Sequence, residues 1–331
     1  MSEYMRSMKG LVDAVDHVGK DFISITDMTN DQLYSLFELG KNLELFNRSR
    51  VDLLGDRMLA LMFFQPSTRT RMSFQTAMER LGGHVIVEAN PKVTSSVAKE
   101  ESIEDTMRCV SQYANLMVIR HYDAEEARRG ARAAECPVIN GGWGHWEHPT
   151  QALLDLYTMW RRFGRIEGLN VAVVSPDMIE ARTGHSMAAG LARFGANVTI
   201  CSDSDRRTPA EVRERILSHG EVSLKEEFDF EQDTFNEFVR TQDLIYLPGC
   251  SAPAGAKAEE FKTLMDRYLV RYETLQEEAA KGHQIYVTHT LPRRAGEMDL
   301  RIDDTPHQLY FRAILQSVSI RMALVTAILG L

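Results

Sequence analysis

Arg57-Met-Leu-Ala-Leu-Met-Phe-Phe64, continued by Gln65-Pro66-Ser67-Thr68-Arg69-Thr70-Arg71-Met72-Ser73-Phe74 and, after Leu81, by Gly82-Gly83-His84-Val-Ile-Val-Glu88, decides the fold. The first eight residues are a nearly unbroken apolar run, as expected of a strand covered on both faces. A helix is predicted from about Ser67 to Leu81, stopped by Gly82-Gly83, with a short strand at His84–Glu88. Strands that alternate with helices build a parallel, doubly wound sheet.

The alternation extends both ways from this segment. Upstream, Thr29-Asn-Asp-Gln32 reads as a capping box opening an amphipathic helix through Leu33, Leu36, Phe37 and Leu43. Downstream, beyond a polar stretch from Asn90 to Glu101, come a helix at Ile103–Tyr113, a strand at Leu116–Arg120, a helix at Ala124–Ala134 and a strand at Pro137–Asn140. Pro149 suits the first position of a long helix to Phe163, where its missing N–H is not needed. A second series follows: a strand at Val171–Ser175, a helix at Thr183–Phe194, and strands at Asn197–Ser202, Asp243–Leu247 and Gln284–Val287. An apolar helix at about Pro306–Leu329 ends the chain. The expected fold class is α/β: two doubly wound parallel-sheet domains joined by the Pro149 helix, with the C-terminal helix returning to bury its apolar side on the first domain. The expected domains are 1–148 plus 305–331, and 149–304.

The 331 residues exceed one typical domain. A formal charge of −9 argues against nucleic acid as a partner, yet leaves room for a local basic pocket that binds a small anion. Cys109, Cys136, Cys201 and Cys250 form no Cys-x-x-Cys pair, so neither a disulfide framework nor a zinc site is expected. The N-terminus lacks the apolar stretch of a signal peptide, and no run approaches the roughly eighteen apolar residues of a membrane span. The expected location is the cytoplasm, with no membrane partner.

The segment Ser67–Ser73 leaves a strand and opens a helix at the carboxyl end of a parallel sheet, where such sheets bind ligands. The first helical turn offers unpaired N–H groups and a positive dipole end. The hydroxyls of Ser67, Thr68 and Thr70 and the fork of Arg69 complete an anion cradle. No Gly-x-x-x-x-Gly-Lys-Ser/Thr loop is present, and Val171–Ser175 runs into Pro176-Asp177 rather than a Gly-x-Gly-x-x-Gly turn. No nucleotide cofactor is expected, and a nicotinamide dehydrogenase is improbable. His148 and Gln151, three apart at the start of the Pro149 helix, point toward one spot. His145-Trp-Glu-His148 could be read as a metal pair, but no third ligand is evident.

Ser67-Thr-Arg-Thr-Arg71 with Ser73-Phe74 strongly resembles the carbamoyl-phosphate signature of the aspartate/ornithine carbamoyltransferase family. His148-Pro-Thr-Gln-Ala-Leu-Leu-Asp155 is similar to its second signature. His289-Thr-Leu-Pro-Arg293 and Asp304-Thr-Pro-His307 with Tyr310-Phe311 are similar to its C-terminal elements. The matches run in order from about Gly55 to Leu324.

The resemblance implies that Ser67, Thr68, Arg69 and Thr70 hold the phosphate and that Arg120 adds a charge. It further implies that His148 and an arginine contact the carbonyl oxygen, that Gln151 contacts the carbamoyl NH2, that Arg182 binds the acceptor's α-carboxylate, and that Leu291 joins the substrate-binding set. Ser95, Ser96 and Lys99 would reach into a neighbouring subunit's site, implying a homotrimer with shared active sites. No metal or cofactor is implied.

The departures fall on the acceptor side. Aspartate-type members anchor the side-chain carboxylate with an arginine and a glutamine, where this chain has Gly249 and Ser251. The acidic residue and Ser-Met-Gly turn of ornithine-type members are also missing. The expected function is transfer of the carbamoyl group of carbamoyl phosphate to the amine of a small carboxylate-bearing acceptor other than aspartate or ornithine. The alternatives are a true aspartate carbamoyltransferase of pyrimidine synthesis, with Arg293 or Arg294 as a replacement arginine, and a non-catalytic ligand-binding relative.

Overall fold

A computed structural model of the chain describes residues 3–91, 100–218, 223–250, 258–294 and 296–331. The chain divides into two compact units, Met1–Tyr157 with Ile314–Leu331, and Thr158–Ala313.

The first unit holds a four-stranded parallel sheet of order β2-β1-β3-β4. Its strands are β1 (Met58–Phe63), β2 (His84–Glu88), β3 (Leu116–His121) and β4 (Val138–Trp143). Every residue of β3 and β4 is buried, as is all of β1 after Met58. Continuous burial is what helices on both faces produce, and it explains why the strands read as unbroken apolar runs. Helices α1 (Glu3–Val15), α2 (Asn30–Leu43), α3 (Thr68–Arg80), α4 (Ile103–Ser111) and α5 (Ala124–Ala133) accompany the sheet. The capping box of α2 forms: Thr29 Oγ1 accepts from the Gln32 N–H at 3.2 Å, and Gln32 Oε1 accepts from the Thr29 N–H at 2.8 Å.

Helix α6 (Pro149–Phe163) begins at Pro149, and the boundary between the units falls within it. In the second unit the order is β7-β6-β5-β8-β9, again all parallel. Its strands are β5 (Asn170–Val174), β6 (Asn197–Ser202), β7 (Leu224–Phe228), β8 (Leu244–Leu247) and β9 (Tyr286–His289). Helices α7 (Arg182–Arg193), α8 (Ala210–Leu217), α9 (Gln232–Val239), α10 (Ala258–Arg267) and α11 (Tyr272–Ala280) complete it. One buried cluster joins Val174, Leu247 and Val287 from the sheet to Phe235 and Tyr268.

The last helix, α12 (Tyr310–Leu329), is long and apolar enough to cross a membrane by length and composition. Its residues from Ile314 onward belong to the first unit. There Ile328 O accepts from the Gly19 N–H at 2.9 Å, and Arg321 lies over the Phe74 ring. The expected return of the C-terminal helix is thus observed.

In each sheet the strand order reverses once, between β1 and β3 and between β5 and β8. A crevice opens outside the carboxyl ends of the strands at such a switch point. The residues there are Phe64–Thr70 and Arg120 in the first unit, and Ser175–Arg182 and Pro248–Cys250 in the second.

Candidate active site

In the first unit the chain leaves β1 through Phe64-Gln65-Pro66 and enters α3 with Ser67 as N-cap, extended at φ −157° and ψ 115°. The Ser67 side chain makes no capping hydrogen bond. Its hydroxyl therefore does not serve the helix, unlike those of Ser102 and Thr29, which do. Thr68 and Arg69 are exposed in the first turn, and Thr70 is buried. The first turn of α3 is thus open to solvent at Thr68 and Arg69 and closed at Thr70.

Arg120 is the penultimate residue of β3, where the register against β4 shifts between Ile119 and His121. An irregularity of this kind re-aims a side chain, and the buried Arg120 guanidinium turns along the sheet edge. Its Nη1 donates to Gly141 O at 2.9 Å and faces His148 Nε2 at 3.3 Å. Thr70 Oγ1 is 3.5 Å from the same imidazole nitrogen. Arg120, His148 and Thr70 thus converge on one point from β3, α3 and the residue before α6. A guanidinium only donates, so in this arrangement His148 Nε2 accepts and the ring is neutral. On the other side Thr150 Oγ1 lies 3.4 Å from His148 Nδ1.

Two glycines allow this convergence. A Cβ on Gly142, whose φ is +114°, would stand 2.6 Å from Arg120 Nη1 and 3.4 Å from His148 Cδ2. Gly141 is as tight against Val118, at 2.9 Å. Gly141–Gly144 therefore clears space for the arginine. Trp143 is fully buried with its Nε1 donating to Ile119 O at 2.8 Å, and Trp146 stacks on it with Arg128 above. Both tryptophans take part in packing. His145 is exposed while His148 is buried, so the two do not converge as a metal pair. Among the described residues no group of three metal-ligating side chains occurs. Gln151 Nε2 donates to Asp155 Oδ2 at 3.0 Å, with Asp155 buried beneath it. Ser95, Ser96 and Lys99 lie outside the described residues, as does Ser251.

In the second unit Arg182 is the first residue of α7, and the desolvation around it lowers its guanidinium pKa from the ordinary arginine value. Its neighbour Thr183 donates to Pro248 O at 3.3 Å, and Thr290 donates to the same oxygen at 2.8 Å. The carboxyl ends of β5, β8 and β9 are thereby tied together around Gly249. Gly249 has φ +80°, and the position its Cβ would take is 3.7 Å from Glu297 Oε1 and 3.7 Å from His289 Cε1.

Glu297 is the centre of this region. Its Oε1 accepts from the Cys250 N–H at 2.7 Å; its Oε2 accepts from the Arg294 N–H at 2.6 Å and pairs with His289 Nε2 at 2.9 Å. The Leu291 N–H donates to His289 Nδ1 at 2.8 Å, which places the imidazole proton on Nε2, toward the carboxylate. Burial alone would raise the Glu297 carboxyl; the hydrogen bonds from His289 and the two backbone amides outweigh it and hold the group below its usual range. Leu291 follows with φ +53°, a left-handed conformation uncommon outside glycine. Both proposed replacement arginines are engaged: Arg293 forms a two-pronged pair with Asp303 and stacks on Tyr310 and Phe311, and the Arg294 guanidinium donates to Cys250 O.

Gly142, Asp155 and Glu297 were not among the residues singled out from the sequence. Asp155 lay inside a quoted motif and could have been found as the residue one helical turn from Gln151. Glu297 had no signal, because its partners come from two segments, the turn after β8 and the end of β9 with the loop that follows it.

Residues 20–161 match the model of the aspartate/ornithine carbamoyltransferase carbamoyl-P binding domain, and residues 167–328 match that of the Asp/Orn binding domain. The ureidoglycine carbamoyltransferase of Rubrobacter xylanophilus is 62% identical over 98% of this chain and 96% of its own length. The aspartate carbamoyltransferase catalytic subunit of Pyrobaculum arsenaticum is 40% identical over 94% and 98%. Among solved structures, the catalytic subunit of the M. jannaschii aspartate transcarbamoylase superposes with a TM-score of 0.79 at 33% identity, covering 92% of this chain and 96% of that one. The chain belongs to the aspartate/ornithine carbamoyltransferase family and is a carbamoyltransferase that acts on a small acceptor other than aspartate or ornithine.

Proposed function

We propose that the acceptor is ureidoglycine, carbamoylated on its α-amine by carbamoyl phosphate. The observation that carries this reading is Gly249, set against the Glu297 carboxylate where a dicarboxylate acceptor would need a cation. A second carboxylate buried there would meet the like charge of Glu297, which is costly. The ureido group of ureidoglycine is neutral and rich in N–H donors, so it asks for acceptors rather than a guanidinium. The relative from Rubrobacter, similar along nearly the whole chain, carries that acceptor in its name.

The chemistry follows from the residues. The amine nitrogen attacks the carbamoyl carbon, the bond from that carbon to the phosphate oxygen breaks, and the proton lost by the amine leaves on the phosphate. The products are an acetate bearing two ureido groups and inorganic phosphate. Negative charge grows on the carbonyl oxygen, where Arg120 donates; His148 faces the same point and joins as a second donor in the tautomer that carries the proton on Nε2 instead of accepting there from Arg120. Ser67, Thr68, Arg69 and Thr70 hold the phosphate, Gln151 the carbamoyl NH2, and Arg182 the α-carboxylate. Catalysis rests on positioning and electrostatics. Ser95, Ser96 and Lys99 come from a neighbouring subunit in this reading, so the assembly is a homotrimer. The four free cysteines suit a reducing compartment, and we place the enzyme in the cytoplasm.

The test is a comparison of acceptors at fixed carbamoyl phosphate, following phosphate release and the bis-ureido product by mass spectrometry. Ureidoglycine should exceed aspartate and ornithine by about 100-fold or more in kcat/KM. Equal or better turnover of aspartate overturns the proposal.

A further inference from the structure

At the register shift between β3 and β4, side chains hold both ends of one peptide group, the one that joins Gly141 to Gly142. Its carbonyl, Gly141 O, accepts from Arg120 Nη1 at 2.9 Å. Its N–H, on Gly142, donates to Asn140 Oδ1 at 2.7 Å. A peptide group is planar, with its C=O and N–H pointing to opposite sides. The direction of one bond therefore fixes the direction of the other. Asn140 grips the far end of the plane that meets the Arg120 guanidinium.

Asn140 is itself locked. It is fully buried, and its Nδ2 donates to Ile23 O at 2.9 Å. A backbone N–H only donates and a carbonyl only accepts, so a single orientation of the amide satisfies both partners. Ile23 is in turn placed by a short run beside β4. There the Phe22 N–H donates to Val138 O and the Asn140 N–H donates to Phe22 O, both at 2.9 Å. The series thus leads from Ile23 through Asn140 and the Gly141–Gly142 peptide to Arg120, whose Nη1 faces His148 Nε2 at 3.3 Å. All of it lies within the first unit.

A peptide between two glycines turns over with the least steric resistance, because neither side carries a Cβ. Turned over, this one would aim the Gly142 N–H at the guanidinium, and donor would meet donor.

We infer that Asn140 is a positioning residue: by holding the Gly142 N–H it keeps Gly141 O directed at Arg120, and so sets where Nη1 stands relative to His148. This rests on Arg120 acting at the carbonyl oxygen, as in the proposed function.

The experiment compares N140V and N140T in steady-state kinetics, with carbamoyl phosphate varied, and measures inhibition by inorganic phosphate. Each variant is made in the wild-type and in the R120M background. Valine and threonine share a shape, and only threonine keeps an oxygen that can accept from the Gly142 N–H. N140V should lower kcat about 10–100-fold, the scale on which a displaced oxyanion donor is felt. KM for carbamoyl phosphate and inhibition by phosphate should change less than about threefold, because the Ser67–Thr70 cradle is untouched. N140T should recover part of the loss. In R120M, N140V should cost nothing further, since the group that Asn140 positions is gone; a defect of folding alone would cost the same factor in both backgrounds. If N140V does not fold, N140A takes its place. A folded variant with wild-type kcat, an equal loss in both backgrounds, or N140T no more active than N140V overturns the inference. R120M with wild-type kcat, or wild-type protein that releases no phosphate with any acceptor, would instead overturn the proposed function.

Discussion

Gly142 presents no side chain to Arg120, and Nη1 of that arginine occupies the space, 2.6 Å from where a Cβ would be. The Arg120 Nη1 that donates to Gly141 O also faces His148, so the approach of the two side chains depends on residue 142 being a glycine. The backbone adds its own demand, since φ is +114°. Gly142→Ala must displace the guanidinium or distort the turn. We predict a loss of kcat/KM of about 100-fold and a stability loss of about 1–3 kcal/mol. A Gly142→Ala enzyme with wild-type kinetics would show that Arg120 moves without consequence.

His148→Ala removes a group that meets both Arg120 and Thr70. Losing one oxyanion donor costs about 2.7–4 kcal/mol in the transition state, or about 100–1000-fold in kcat. KM for carbamoyl phosphate should change far less, because the Ser67–Thr70 cradle is untouched. Steady-state kinetics with carbamoyl phosphate varied separates the two, and a loss confined to KM would remove His148 from the transition state.

The parallel sheets were legible because buried strands are apolar throughout. His84–Glu88 and Asn197–Ser202 were placed to the residue, and the other strands read from the sequence to within two residues at their amino ends. β7 was missed for the same physical reason in reverse: Leu224-Lys-Glu-Glu-Phe228 is an edge strand with alternate residues exposed, and its charges mask the pattern. α8 to α11 are short and were also passed over. In the site, Ser67–Thr70, His148 and Gln151 announced themselves by local spacing. The register shift at Arg120 and the loops that meet at Glu297 are tertiary, and no local pattern encodes them.

The thiols divide by burial. Cys201 and Cys250 are buried, and desolvation raises the Cys250 thiol to about 11 and Cys201 well above its usual value. Cys136 is likewise raised to about 11, while Cys109 is exposed. Since the thiolate is the reactive form, an aromatic disulfide reagent at pH 8 should modify Cys109 first in the folded protein and all four only after denaturation. Cys109→Ser should abolish the fast phase. Rapid labelling of Cys250 would mean that the loop beside Gly249 opens readily.

Glu297 makes the second unit sensitive to acid in a calculable direction. Its folded pKa lies below the ordinary value of 4.5, so ionisation is favoured by folding. The stabilisation is therefore complete above about pH 4.5 and is lost as pH falls through the lower folded value. Glu297→Gln removes the charge and confronts the Cys250 or Arg294 amide with an NH2 donor. The expected cost is about 1–3 kcal/mol at pH 7, in line with charge-assisted bonds lost in a buried setting. Urea denaturation of wild type and Glu297→Gln from pH 7 to pH 3 should show a difference that is constant down to about pH 5 and shrinks below pH 4.5. The variant should also bind a neutral ureido acceptor less well, since the turn that carries Gly249 is held by this carboxylate. A stability difference that grew as the pH fell would mean that the native carboxyl is held protonated, and the charge-based account of the acceptor pocket would then fail.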